Sequence, residues 1–155
     1  MKLLRVYADT SVFGGCFDEE FARESKAFFE DVRARRFVLV VSVTTLGELE
    51  KAPDYVQKIL ADLSPEKIEV IDFCDEIALL RDAYLEAHIV GPESKADAEH
   101  IATASVADVD FAVSWNFKHI VHYEKISGYQ AINLINGYKE IRIYSPKEVV
   151  YNDKE

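Results

Sequence analysis

The run Phe37-Val38-Leu39-Val40-Val41 constrains this chain more than any other stretch, because consecutive apolar residues leave no polar face for water. Such a strand must be covered on both sides, as in parallel sheets whose crossover helices pack on either face. A second apolar run, Leu3 to Ala8, is polar only at Arg5. Between the two runs, Phe21, Ser25, Phe28, Phe29 and Val32 recur at helical spacing from about Glu19 to Arg35. That is an amphipathic helix, closed by Arg33, Arg35 and Arg36 where cations suit its dipole. Strand, helix and strand predict a right-handed parallel crossover.

The alternation continues to the end of the chain. A helix is expected from Thr44 or Thr45 to Ala52-Pro53, where proline disfavours helical geometry in its predecessor. A short helix over about Asp54 to Leu63 precedes a third strand, Lys67 to Phe73. Ile77, Leu80, Tyr84 and Leu85 mark the next helix, Asp75 to Ile89, ended by Gly91-Pro92. Ser94 is placed to cap a helix reaching Val106, whose stripe of Ala98, Ile101, Ala102 and Ser105 is small enough for close packing on a sheet. Phe111 to Trp115 reads as the fourth strand, Ile126 to Ile135 as a helix stopped by Asn136-Gly137, and Ile141 to Tyr144 as the fifth strand. Ser145-Pro146 opens a last helical turn. Strands and helices in this order predict an α/β sandwich with a mostly parallel sheet.

Composition narrows the functions. With 155 residues and 49% hydrophobic content, one globular domain over 1–155 is expected. A net charge of −10 opposes broad binding to duplex DNA, whose non-specific affinity comes from neutralising phosphates. A nucleic-acid substrate would be held by local basic residues or through a cation. Cys16 and Cys74 lie far apart and read as reduced thiols, Cys74 half-buried. No apolar run approaches membrane-spanning length and the first residues lack a secretory pattern, so a cytoplasmic protein is expected.

Polar residues gather where the strands end. The first strand stops at Asp9-Thr10-Ser11, and in open α/β sheets ligands bind beyond the carboxyl ends of the strands. Glu48 follows the second strand, Asp97 opens a helix and Asn116 follows the fourth strand. Each has an ordinary structural reading. Asp9 can cap a helix, Thr45 to Glu48 and Ser94 to Asp97 have capping-box or similar spacing, and Asn116 suits a turn. In a parallel sheet, however, all four project to one edge. Converging carboxylates repel one another unless a cation sits between them, and hard oxygen donors suit Mg²⁺ or Mn²⁺. Hydrolysis of a phosphodiester is the natural chemistry of such a centre. His119 and His122 lack partners for a zinc set, so they read as surface or packing residues; His100, one turn beyond Asp97, is placed either to touch the site or to bond a nearby carbonyl.

Together, Asp9-Thr10-Ser11, the Thr45-to-Glu48 helix, Lys95 to Ala104 and Ser114-Trp115-Asn116-Phe117-Lys118-His119-Ile120 resemble a PIN domain, in order and over most of the chain. The resemblance implies a three-layer fold with about five parallel strands. It also implies a Mg²⁺- or Mn²⁺-dependent endoribonuclease of single-stranded RNA, often the toxin of a toxin–antitoxin pair of the VapC kind. By that resemblance Asp9, Glu48 and Asp97 match the acidic metal-ligand positions. Asp9 and Asp97 would hold the ion directly, and Glu48 through a water or as general base. Asn116 stands where many members carry a fourth Asp, bringing an amide oxygen and no charge. Thr10 or Ser11 would hydrogen-bond substrate, with Lys95 and Lys118 as phosphate contacts. The implied partners are single-stranded RNA, an antitoxin protein and a second copy of the chain. A competing expectation is a catalytically weak PIN-like domain that binds RNA or a protein, which Asn116 and the acidic composition favour. An aspartate-nucleophile phosphatase ranks last, because Ser11 stands where a second Asp is needed.

Overall fold

The computed structural model describes residues 2–151. β1 (Leu4–Ala8), β2 (Phe37–Ser42), β3 (Ile68–Ile71), β4 (Phe111–Val113) and β5 (Ile143–Tyr144) form one sheet in the order β3-β2-β1-β4-β5. Every pairing is parallel: Tyr7 sits opposite Val40 on one side and Ala112 on the other, and Ala8 opposite Val113. The chain winds outward from β1 to β3, then crosses back to place β4 on β1's free side. That reversal leaves a crevice at the carboxyl ends of β1 and β4, the place where doubly wound sheets bind ligands.

Alternate residues of the central strands feed two separate cores. Val6, Ala8, Leu39, Val41, Phe111 and Val113 point to one face. There they meet α1 (Thr10–Gly15), α2 (Ala22–Arg33), α4 (Asp54–Ala61) and Leu49 of α3 (Val43–Glu50), with Phe13, Phe28 and Phe29 fully buried. Tyr7, Val40, Ala112 and Ile143 point to the other face. They pack on α5 (Asp75–Glu86), α6 (Lys95–Val106) and α7 (Tyr123–Ile135). The period-two alternation and the two covered faces give the expected three layers. A last turn, α8 (Pro146–Val149), is closed by a Ser145–Glu148 capping box. Among the described residues no helix is long and apolar enough to cross a membrane.

Element ends differ from the sequence reading in ways with clear causes. α3 starts at Val43, because Ser42, not a threonine, caps it by accepting the Thr45 amide at 3.2 Å. Ser94 occupies the N-cap position of α6 but makes no side-chain cap bond. β3 and β5 are short edge strands; Val70 of β3 is half exposed. Cys74, expected to be half-buried, is exposed at the N-cap position of α5, just beyond the edge strand β3, while Cys16 is buried. Gly137, with φ of +86°, ends α7 in the left-handed conformation that glycine adopts without steric cost.

The small stripe on α6 decides how closely that helix approaches the sheet. Ala98 and Ala102 are fully buried. Ala102→Leu is therefore expected to destabilise the fold by about 1–3 kcal/mol through overpacking. Leu79→Ala, on the exposed side of α5, should stay within about 0.5 kcal/mol. Urea unfolding monitored by circular dichroism checks both.

Candidate active site

Asp9 follows β1 and stands at the N-cap position of α1, yet its side chain does not cap the helix. Its carboxylate instead accepts the Ser11 hydroxyl at 2.6 Å and the Ser114 hydroxyl at 2.7 Å. Ser114 is brought there by register: Ala8 pairs with Val113, so the next residues of β1 and β4 meet beyond the sheet. Only 6% of Asp9 is exposed. Burial pushes its carboxyl above the usual range and the charge of Asp97 adds to that, while His100 and the two serine hydroxyls oppose it.

Glu48 projects from α3 and likewise caps nothing, because Ser42 has taken that role. Its Oε1 accepts the Thr10 hydroxyl at 2.5 Å and lies 2.8 Å from His100 Nε2. Its partial burial works to raise the carboxyl, but the bond to His100, that residue's charge and Thr10 hold it below the usual range. His100 is buried on α6, with Nδ1 2.6 Å from the Tyr7 hydroxyl. Burial alone would lower the imidazole, but Tyr7, Glu48 and Asp9 raise it well above its ordinary 6.5. His100 thus bridges Tyr7 and Glu48 through its two ring nitrogens. The Tyr7 hydroxyl also bonds Ser42, 2.8 Å away, so this buried polar chain continues into the end of β2.

Asp97 lies in the first turn of α6, partly buried. Burial raises its carboxyl and Glu48's charge raises it further; His100, His119 and Asn116 lower it. Asn116 itself is held in a turn: its Oδ1 accepts the amides of Lys118 at 3.2 Å and His119 at 2.9 Å, as expected of an asparagine. An aspartate here would raise Asp97 further; the asparagine does not.

Hydrogen bonds through Thr10, Ser11 and His100 tie Asp9 and Glu48 to one neighbourhood, while Asp97 and Asn116 are related to it by their influence on the carboxyls alone. Thr10 and Ser11, read as substrate contacts, are bonded to Glu48 and Asp9 and position those acids. Lys95 and Lys118 are exposed at the entrance to α6 and after β4. Sequence reasoning missed Tyr7 and Ser114 and left His100 undecided. The helical spacing from Asp97 to His100 was the available signal for His100; Ser114 required the β1–β4 register.

Among the described residues no three His, Cys, Asp or Glu side chains make a ready-made metal cluster. Asp9 and Asp97 do offer two carboxylates, the hard-donor number by which Mg²⁺ is held when waters and substrate phosphates complete its shell. These two residues fit such an ion. Glu48 is engaged by His100 and Thr10 and stands behind them.

A carboxyl raised on folding opposes stability once it ionises. For Asp9 the penalty is absent below its unfolded pKa, grows as pH rises toward the raised folded value, and is full above it. Asp9→Asn is expected to be more stable than the parent at pH 7 in EDTA by about 0.5–2 kcal/mol, the usual scale of relieving a strained site. The gain should vanish in acid below the ordinary carboxylate range. Thermal unfolding of both proteins across pH tests this.

No protein-family model matches the chain, and no curated protein matches it. Solved structures do. FitAcB from Neisseria gonorrhoeae aligns at a TM-score of 0.59 and 12% identity, over 93% of this chain and 99% of that one. VapBC2 from Rickettsia felis, bound to a DNA fragment from their promoter, aligns at 0.58 and 14%, over 92% and 98%. A toxin–antitoxin complex from Klebsiella pneumoniae aligns at 0.55 and 22%, over 74% and 88%. At such identities the likeness carries the fold and leaves function to the site. Five parallel strands in the order described, with helices on both faces, give this chain a PIN-like α/β fold.

Proposed function

We propose that the chain is a Mg²⁺- or Mn²⁺-dependent endoribonuclease of single-stranded RNA, acting as the toxin of a toxin–antitoxin pair. The observation that carries this reading is a gathering of acids: adjacent Thr10 and Ser11 bond Glu48 and Asp9, and His100, which bonds the same Glu48, lies one helical turn beyond Asp97, at the crevice where β4 crosses back beside β1. The fold's likeness to toxin–antitoxin complexes supports the partner assignment, an antitoxin protein. A cytoplasmic setting goes with that role.

Asp9 and Asp97 would hold the ion. When bound, it would neutralise charge growing on the phosphoryl group and acidify a water. Glu48 stays ionised because His100 and Thr10 hold its carboxyl low. A carboxylate of lowered pKa is a weak base but a good acceptor, so Glu48 orients the attacking water rather than storing its proton. Ser11 and Ser114 fix the orientation of Asp9, and Thr10 and His100 that of Glu48, so these acids are preorganised before substrate arrives. Exposed Lys95 and Lys118 would meet flanking phosphates, giving RNA binding that weakens with salt.

The bonds Asn116 makes also favour a second reading, a binding module with little catalysis, since they leave the site one carboxylate short of a four-acid set. One assay separates the two. Under the nuclease reading, purified protein with Mn²⁺ cuts single-stranded RNA, and Asp9→Asn or Asp97→Asn lowers the rate by more than about a hundredfold, beyond the effect of losing an outer-shell group. RNA that binds but stays intact in the parent protein would support the module.

A further inference from the structure

Beside the acids, between α1 and the segment following β4, lies an open cavity of about 410 Å³ lined by Ser11, Gly14, Asp18, Phe21, Trp115 and Asn116. Its size is within the roughly 300–1,000 Å³ of small-ligand pockets. It adjoins the acid site through Ser11, which bonds Asp9, and through Asn116, two residues beyond the Ser114 that also bonds Asp9. A nucleotide chain with a phosphate at Asp9 would lie beside it.

The cavity's chemistry selects what enters. Phe21 stacks on Trp115 with ring centroids 4.2 Å apart and 17° between planes. Half-exposed Phe117 continues this aromatic edge, 6.1 Å from Trp115. The Trp115 ring, only 7% exposed and fixed by its Nε1 donating to buried Ser25 at 2.7 Å, is a rigid backing for Phe21, the partly exposed ring that lines the cavity in front of it. The lining contains no cation and does contain the Asp18 carboxylate. A phosphate is repelled there, whereas a flat neutral ring that donates amino protons is favoured. Gly14 is an exposed residue of the lining where a Cβ would meet nothing within 4 Å, so a larger side chain can be placed there without a clash.

We infer that this cavity is a base-stacking subsite, which takes one nucleobase of a single-stranded RNA next to the phosphate held at the acids. The inference rests on the ribonucleotide reading of the acid site. Stacking on an aromatic wall is sequence-tolerant, so the subsite contributes affinity for single strands rather than a sequence code. It also supplies to an acidic protein the attachment that its net charge of −10 denies it through phosphates.

Trp115 is the chain's one tryptophan, so its fluorescence reports occupancy directly. The Asp9→Asn protein is titrated with a short single-stranded RNA, and with an oligomer of equal length whose sugars carry no bases. Intact RNA should change Trp115 emission and bind about tenfold more tightly, within the range measured for base–aromatic stacking. Adding Gly14→Leu, which fills the cavity from an open position, should remove the emission change and bring intact RNA down to the base-free level. Adding Phe21→Leu, which keeps bulk but removes the ring, should weaken intact RNA alone. Equal binding of the two oligomers, RNA binding without a Trp115 response, no RNA binding at all, or equal weakening of both oligomers by the variants would overturn the subsite. Failure of the nuclease reading is seen elsewhere: wild-type protein with Mn²⁺ leaves RNA uncut while the base-dependent signal persists, an outcome that upholds the subsite and removes the catalysis.

Discussion

A buried carboxylate at the end of a central parallel strand is the constraint around which the rest of this molecule is arranged. Asp9 is almost wholly removed from water, and the residues beyond β1 and β4 have nowhere to go but toward each other. A lone buried charge is costly unless it is bonded and balanced. Two serine hydroxyls bond it, and His100 opposes the cost of its burial. His100 acts in the same sense on Glu48 and Asp97, joined by Lys51 at the former and His119 at the latter. The remaining repulsion is what a divalent ion or a substrate bringing one would relieve.

The layers on either side explain why the acids are held so firmly. Tyr7 belongs to the strand core yet spends its hydroxyl on His100 and Ser42, tying the polar chain to the sheet. α6 carries both Asp97 and His100 one turn apart, and its small buried face seats it against the sheet. α3 brings Glu48, and Thr44 on the same helix bonds Glu99 of α6, which also pairs with Arg81 of α5 at 2.7 Å. Helices that contribute acids are thus cross-braced to one another outside the site. Such bracing lets the site tolerate like charges without spreading apart, the condition for preorganised electrostatics.

The sheet and its two covers were legible because they depend on periodicity: the continuous apolar run at Phe37 to Val41 and the helical spacing from Phe21 to Val32 each allow one solution. Asp9, Glu48, Asp97 and Asn116 were grouped on the expectation that a parallel sheet sends strand ends to one edge, and hydrogen bonds join the first two to one neighbourhood through Thr10 and Ser11. What the chain order hid was pairing. Ser114 finds Asp9 across 105 positions, and His100 finds Glu48 across 52, through a register and a helix packing that no local spacing encodes. Capping spacing also misled at Thr45 to Glu48, where Ser42 caps and frees the glutamate for His100. Cys74 was placed in half-buried surroundings because edge strands cannot be told from central ones by composition.

Whether Asp9 and Asp97 share one electrostatic site is measured most directly by the carboxyl ¹³C titration of Asp9 in the metal-free protein, with Asp97 intact and as Asp97→Asn. The account predicts that Asp9 titrates above the ordinary aspartate range in the parent and shifts downward when the neighbouring charge is removed. A titration of Asp9 that is unchanged by Asp97→Asn would mean that the two acids do not sense each other, and would contradict the shared centre.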